Sequence, residues 1–164
     1  MHTSSSYSFS ISLLPLVVST IYEGYGPADL EPMFEDWREI FARKERFVAL
    51  CDLTRVKSMP SAKQRARTGE LSKSIEADSI RYSLGSAMVV SNAVARGAMT
   101  AIDWINPPKV PQTYVGTVLD GCDWCIGRIR EVGLPVPGAI VEYRSDLALG
   151  GKERAPRNRS ASGR

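Results

Sequence analysis

The sequence predicts an α/β domain, a three-layer sandwich with a mixed, mostly parallel sheet of about five strands covered by four helices, two on each face. Three observations carry this. Ala87-Met88-Val89-Val90 is a short apolar run of the kind found in a fully buried strand. A helical period follows it directly. Ser91-Asn92 offers the N-cap, Val94, Ala98, Ala101, Ile102 and Ile105 share one face, and Asn106-Pro107-Pro108 stops the helix, because proline lacks an amide hydrogen and disfavours α geometry in the residue before it. After the first strand, strands and helices alternate, so most of the sheet is expected to be parallel with right-handed crossovers.

The elements follow in chain order. Tyr7, Phe9 and Ile11 alternate with serines at the period of a half-buried strand, and the β-branched stretch 16–22 is a second strand, with Pro15 marking the turn or edge between them. Gly24-Tyr25-Gly26-Pro27 is a turn cluster. A helix is expected over 28–43. Leu30, Met33, Phe34, Trp37, Ile40 and Phe41 form its buried stripe, Glu31, Glu35, Asp36 and Glu39 face away, and Arg43-Lys44 suits the negative end of its dipole. Residues 46–53 are the third strand. A long polar helix over 61–80 packs through a thin stripe of Leu71 and Ile75 with Ala62 and Ala66 behind, and Gly69 weakens its middle by about 1 kcal/mol relative to alanine. A fifth strand over 110–115 leads to a last helix started by Thr117-x-x-Asp120, with Leu119, Cys122, Cys125, Ile126 and Ile129 on its apolar face and Gly133 at its C′ position.

The domain is expected over 7–133, after a disordered N-terminus at 1–6. Residues 134–150 read as a Pro/Gly-punctuated extension with one short edge segment at 139–143. Through residue 150 the chain holds 16 basic and 17 acidic residues, whereas 151–164 holds five basic and one acidic. The pI of 8.8 thus belongs to a tail, and the domain offers no basic face for specific nucleic-acid binding. The tail has the composition of a disordered segment, with a weak contact to anionic nucleic acid or lipid as the alternative use. No apolar run reaches the ~18 residues of a membrane-spanning helix. The apolar run 11–18 lacks a basic flank and a cleavage site, so a cytoplasmic location is expected.

His2 is the only histidine, which removes the usual general base and leaves serine–histidine and cysteine–histidine catalysis without a partner. Gly24-x-Gly26 lacks the third glycine of a phosphate loop. Cys122 and Cys125 form a C-x-x-C, but they coincide with the apolar stripe of their helix and read first as small core residues. A thiol redox site is the sharper reading, and zinc lacks a second ligand pair. Cys51 lies in the apolar third strand. No metal or cofactor is expected. Asp52, at the C-terminal end of that strand, stands where α/β folds place ligand contacts.

Several phrases together resemble the STAS superfamily of anti-sigma-factor antagonist-like domains, most closely its bacterial SpoIIAA-like, STAS/SEC14-type branch. They are Arg96-Gly97-x-x-Thr100-Ala101-x-x-Trp104-x-x-Pro107-Pro108-x-x-Pro111 after an apolar strand, the threonine-started helix carrying Trp124, and the Asp52-Leu53-Thr54 strand ending. The resemblance covers roughly 7–133 and implies a SpoIIAA-like fold that works by docking. Classical antagonists carry an Asp-Ser-Ser-Gly phrase whose second serine is phosphorylated. Counted from Asp52-Leu53, its four positions fall here on Pro60, Ser61, Ala62 and Lys63, so the phosphorylated position is alanine and Ser58 and Ser61 are the neighbouring hydroxyls.

The resulting expectation is a non-enzymatic protein-interaction module, regulatory or scaffolding. Its docking surface lies within 54–67 and includes Lys57, Ser58, Met59, Ser61, Lys63 and Arg65, with Ser58 and Ser61 as candidate phosphorylation sites. A phosphate there would gain from a helix N-terminus and nearby cations. The partner is a protein, a second copy of this chain among the possibilities. The alternative is a carrier or sensor of a small apolar or lipid ligand. Met33, Phe34, Trp37, Met99 and Trp104 would line its cavity, and Asp52 and Trp104 are candidate contacts.

Overall fold

The computed structural model describes residues 6–56, 61–105 and 107–150, with the backbone alone at 98 and 101–105. The tail 151–164 and residues 1–5 lie outside the described residues. The strands are β1 (Tyr7–Leu13), β2 (Leu16–Ile21), β3 (Phe47–Asp52), β4 (Ser83–Val89) and β5 (Gln112–Val115). They form one sheet in the order β1-β2-β3-β4-β5, with β1 antiparallel to β2 and every later pair parallel. The helices are α1 (Leu30–Ala42, entered through a 3₁₀ turn at Pro27–Asp29), α2 (Ala62–Ser74), α3 (Glu76–Tyr82), α4 (Ala93–Ile105), α5 (Val118–Glu131) and α6 (Gly138–Ala148).

The sheet is the mixed, mostly parallel one that the alternating pattern predicts. The pattern predicts four helices, whereas the described residues hold six α-helices. One addition comes from a break in the expected long helix. The Ser74 hydroxyl donates to the Leu71 carbonyl and Ile75 N–H turns to the Ser72 and Lys73 carbonyls, so the helix tightens and restarts at Glu76. The other addition is α6, which stands in place of the edge segment expected at 139–143. Its backbone is helical, and its Ile140 is fully buried against the residues of α5 and the sheet.

The helices do not divide evenly between the faces. Every crossover from β2 to β5 steps to the adjacent parallel strand in one direction, so right-handedness puts α1, α2–α3 and α4 on one face. On the other face, α5 and α6 enclose Leu16, Val48, Leu50 and Leu84 with Ile126 and Ile129. A second core joins Tyr7, Phe9, Val17 and Phe47 to Ile40, Phe41 and the half-buried Trp37 of α1. Asp36, expected to face solvent, is buried at 3% exposure and accepts a hydrogen bond from the Tyr7 hydroxyl at 3.0 Å. Burial and the Asp36 carboxylate push the Tyr7 phenol's pKa well above its usual value. Ala62 and Ala66 prove exposed, which leaves Leu71 as the buried residue of α2. Val94 is 82% exposed in the first turn of α4 rather than on a core face.

The ends of the elements follow their local chemistry. Thr117 Oγ1 accepts from the Asp120 amide at 3.1 Å, and Asn92 Oδ1 accepts from Val94 and Ala95. Gly133, at φ +72°, closes α5 with Gly133 N–H bonded to the Arg130 carbonyl and Leu134 N–H to the Ile129 carbonyl, a Schellman ending. In β4, Phe47 pairs with Ser83 and Ala49 with Ser86, so β4 carries one extra residue there. Gly85, at φ +141°, sits in that bulge. A Cβ on it would lie 2.6 Å from the Pro111 carbonyl oxygen and 2.7 Å from Trp124 Cη2.

Candidate functional site

The C-terminal edge of the sheet gathers the N-termini of α2, α4 and α5, the usual address of function in parallel α/β folds. Here its polar groups are largely bonded to one another. Arg96 Nη1 donates to the carbonyls of Val90 and Ser91 at 2.6 and 2.8 Å, and its guanidinium rests against Gly116. Leu53 N–H bonds to the Val89 carbonyl, and the Arg55 guanidinium stacks over the Tyr22 ring. Asp52 is 1% exposed. Its Oδ1 accepts from Thr54 N–H at 2.9 Å, and its Oδ2 has no hydrogen-bond partner among the described residues. Through Oδ1 it holds the strand-to-loop turn.

The predicted docking residues divide. Lys57, Ser58 and Met59 lie outside the described residues. Ser61 is the N-cap of α2 in a reciprocal capping box. Its Oγ accepts from Gln64 N–H at 3.2 Å, and its own N–H donates to Gln64 Oε1 at 2.9 Å. Lys63 and Arg65 are exposed in the first turn. Arg67, one turn on, is tied to Glu31 of α1 and to Glu70 at 2.7 Å. Trp104 is in α4 but its side chain lies outside the described residues, and Met99 is half-buried.

A cleft of about 350 Å³ opens on the α1–α3 face, between those helices, β3–β5 and the segment 108–110. Its base is apolar. Phe34, Trp37 and Phe41 come from α1, Phe47 and Cys51 from β3, and Met88 from β4. Trp37 and Phe47 stack with ring centroids 6.0 Å apart, and Phe41 lies 5.5 Å from Phe47, so these rings form a continuous aromatic bed. Beside this base on the same sheet face lie polar groups, Ser83 and Ser86 on β4 and Gln112 on β5, and Ser79 joins them from α3. Ser86 Oγ pairs with Gln112 Oε1 at 3.2 Å, and Gln112 Nε2 donates to the Tyr114 hydroxyl at 2.6 Å. At the mouth, Lys109 Nζ meets Glu76 Oε1 at 2.8 Å, and Ile80 is 52% exposed.

The β4 bulge produces this wall. With Gly85 as the extra residue, Leu84 and Ala87 both face the α5 core while Ser83 and Ser86 both face the cleft. Of the residues expected to line a cavity, Phe34 and Trp37 do so. Met33 instead packs with Leu30 and Leu71, where its sulfur accepts from the Tyr25 hydroxyl at 3.4 Å. Sequence reasoning misses Glu76, Lys109 and the three serines. Ser83-x-x-Ser86-x-Met88 carries the available signal, obscured by the glycine that breaks its alternation.

Cys122 and Cys125 are both fully buried in the α5 core, as small apolar residues would be. Burial, reinforced by Asp123 and opposed by Arg144, pushes the Cys122 thiol up to about 11. Burial raises Cys125 further, and its thiol donates to the Ala49 carbonyl at 3.5 Å. A reactive C-x-x-C needs an exposed, lowered thiol, the reverse of both conditions. The Cys51 thiol is also raised by burial, against a lowering hydrogen bond from Ser19. Among the described residues no helix is long and apolar enough to cross a membrane.

No family model and no curated protein matches this chain. Among solved structures, an uncharacterised DUF3478-family protein with a SpoIIAA-like fold from Shewanella loihica PV-4 is similar at a TM-score of 0.58 and 15% identity. The match covers 76% of this chain and 98% of that one. The fold is thus SpoIIAA-like, as the sequence resemblance implied.

Proposed function

We propose that the chain is a non-enzymatic binding module that carries or senses a small, largely apolar ligand in the cleft between α1, α3 and the sheet. One observation carries this reading: a 350 Å³ recess that pairs an aromatic bed with a wall of hydroxyl and amide groups. Small-molecule sites have this size and composition, with apolar surface supplying affinity and a few polar groups fixing orientation. The non-enzymatic part rests on the thiols, which burial holds in the unreactive form, and on the placement of the single histidine at position 2 of the sequence.

The test is native mass spectrometry of untagged protein released under mild conditions. The expected result is a bound small molecule that Ser79→Trp, which fills the mouth from α3, removes without changing the melting temperature. A wild-type protein that always emerges empty and takes up no apolar probe would overturn the reading.

The exposure of Lys63 and Arg65 at the start of α2 favours a second reading, protein docking through that turn. Charge reversal at both positions would leave folding nearly unchanged, as surface substitutions generally do, and would weaken partner binding. Equal binding by the double variant would reduce this turn to a solvated face.

A further inference from the structure

We infer that the ligand of this cleft is uncharged, with an apolar body and hydrogen-bonding groups along one edge. The inference rests on the ligand-binding reading above and adds the electrostatic class of the occupant.

Among the described lining residues, the charged side chains are Glu76 and Lys109. They are bonded to each other across the mouth at 2.8 Å, joining α3 to the segment before β5. An anionic ligand has to take Lys109 from Glu76 and then lie beside the carboxylate it displaced. A cationic ligand meets the mirror-image problem. Either way an opposite charge is exchanged for another and a like charge is left close by, so charge on the ligand brings repulsion without a new net attraction. The depth of the cleft is worse for charge. Its base is aromatic and aliphatic surface, where an ion without a partner is strongly disfavoured.

The polar wall has the opposite character. Ser83, Ser86 and Gln112 are neutral donor–acceptor groups on adjacent strands. The Ser86–Gln112–Tyr114 chain of hydrogen bonds holds the amide in place, so its orientation is fixed before a ligand arrives. Hydroxyls and amides of this kind recognise alcohol, phenol, ketone or amide groups. Beside them on the same sheet face, Phe47 and Met88, with Trp37 of α1 next to Phe47, offer rings and a polarizable sulfur to an apolar body. The site therefore matches a neutral amphipathic molecule whose polar atoms line one side.

Two fluorescent probes with a common skeleton test this directly. N-phenyl-1-naphthylamine is neutral, and 8-anilinonaphthalene-1-sulfonate adds one negative charge to the same body. The neutral probe is expected to bind at least about tenfold more tightly, equivalent to about 1.4 kcal/mol. Ser79→Trp should abolish its binding while thermal unfolding stays that of the wild type. Glu76→Gln removes the competing carboxylate and releases Lys109, so it should tighten sulfonate binding several-fold and leave the neutral probe nearly unaffected. If the sulfonate binds as tightly as the neutral probe in the wild type, and Ser79→Trp abolishes both, the cleft is a ligand site but the charge inference is wrong. If neither probe binds, or both bind equally well to Ser79→Trp, the ligand-binding reading fails with it.

Discussion

Replacing Gly85 with alanine should be among the most damaging single-methyl changes available in this protein. At φ +141° the backbone occupies a region open to glycine and strained for any other residue, at a cost on the order of 1–3 kcal/mol. The added Cβ would also sit 2.6 Å from the Pro111 carbonyl oxygen and 2.7 Å from Trp124 Cη2. The first neighbour is backbone, and it accepts the Ser86 amide at 2.9 Å, so it cannot retreat without opening the β4–β5 junction. Overpacking of that kind costs about another 1–3 kcal/mol. The entropy that alanine removes from the unfolded chain returns only about 0.4–1 kcal/mol. The net loss is therefore roughly 2–5 kcal/mol, a large part of the ~5–15 kcal/mol total of an ordinary domain. Urea unfolding followed by circular dichroism measures it, and the melting temperature should fall on the order of 10 °C. Gly127→Ala is the internal control. Gly127 lies within α5, and an alanine methyl there would meet no neighbouring atom within 4 Å, so the substitution should stabilise by roughly 0.5–1 kcal/mol. A Gly85→Ala protein that unfolds at the wild-type urea concentration would refute the account of the bulge.

Further outcomes follow from the cores and the buried thiols. Ile140→Ala should destabilise the whole unfolding transition by about 2–5 kcal/mol; a wild-type midpoint would show that α6 does not share the cooperative core. Tyr7→Phe strips the buried Asp36 carboxylate of its phenolic donor and should cost about 1–3 kcal/mol in a urea titration. Iodoacetamide should label Cys122 and Cys125 only after denaturant is added, and rapid labelling of the folded protein would revive a redox role. Cys122 is raised from 9.0 to about 11 in the fold, so the folded state keeps its proton where the unfolded chain has lost it. Its contribution is fully present below pH 9.0 and is lost as pH rises towards about 11, so Cys122→Ala should flatten the alkaline loss of stability seen in melts over that window.

The chain discloses its strands and their mostly parallel pairing because these depend on local period and on the alternation of strands with helices, whereas the order β1-β2-β3-β4-β5 within the sheet has no local signal. The α1 stripe is equally legible, with Leu30, Phe34, Ile40 and Phe41 all buried. Asp36 escapes the pattern because a charge on an amphipathic helix normally faces water, and its partner Tyr7 lies 29 residues away. The break in the polar helix falls at Ile75 and not at the glycine. Gly69 stays helical, since its propensity cost is small, while side-chain-to-backbone bonding at Ser74 interrupts the ladder. A low amphipathic contrast hides α6, and only Ile140 among its residues is buried. The cleft is not legible from spacing at all, because its wall depends on one extra residue in β4 and its mouth on an ion pair between positions 76 and 109.

The placement of the cleft follows from how the sheet edge is finished. In parallel α/β folds the C-terminal edge collects ligands because loops splay apart there and leave helix N-termini unfilled. In this chain those groups are already occupied. Ser61 and Gln64 cap α2 reciprocally, Asn92 caps α4, Thr117 caps α5, and Arg96 spends its guanidinium on the Val90 and Ser91 carbonyls. The broad face under α1 and α3 is less completely filled. α1 supplies three aromatic rings over β3, but α3 is only seven residues long, and the polar α2 before it buries Leu71 alone. A short helix following an exposed one leaves part of β4 and β5 uncovered, and the Gly85 bulge turns two serines onto that uncovered strip. A strip that served only as core would carry apolar residues there, as Leu84 and Ala87 do on the opposite face. Making the strip apolar should therefore remove its recognition chemistry. Replacing Ser86 with valine cuts its bond to Gln112 and is expected to weaken binding of 1-naphthol, which carries a hydroxyl edge, several-fold more than that of N-phenyl-1-naphthylamine, and equal effects on the two probes would mean that the hydroxyl wall plays no part in recognition.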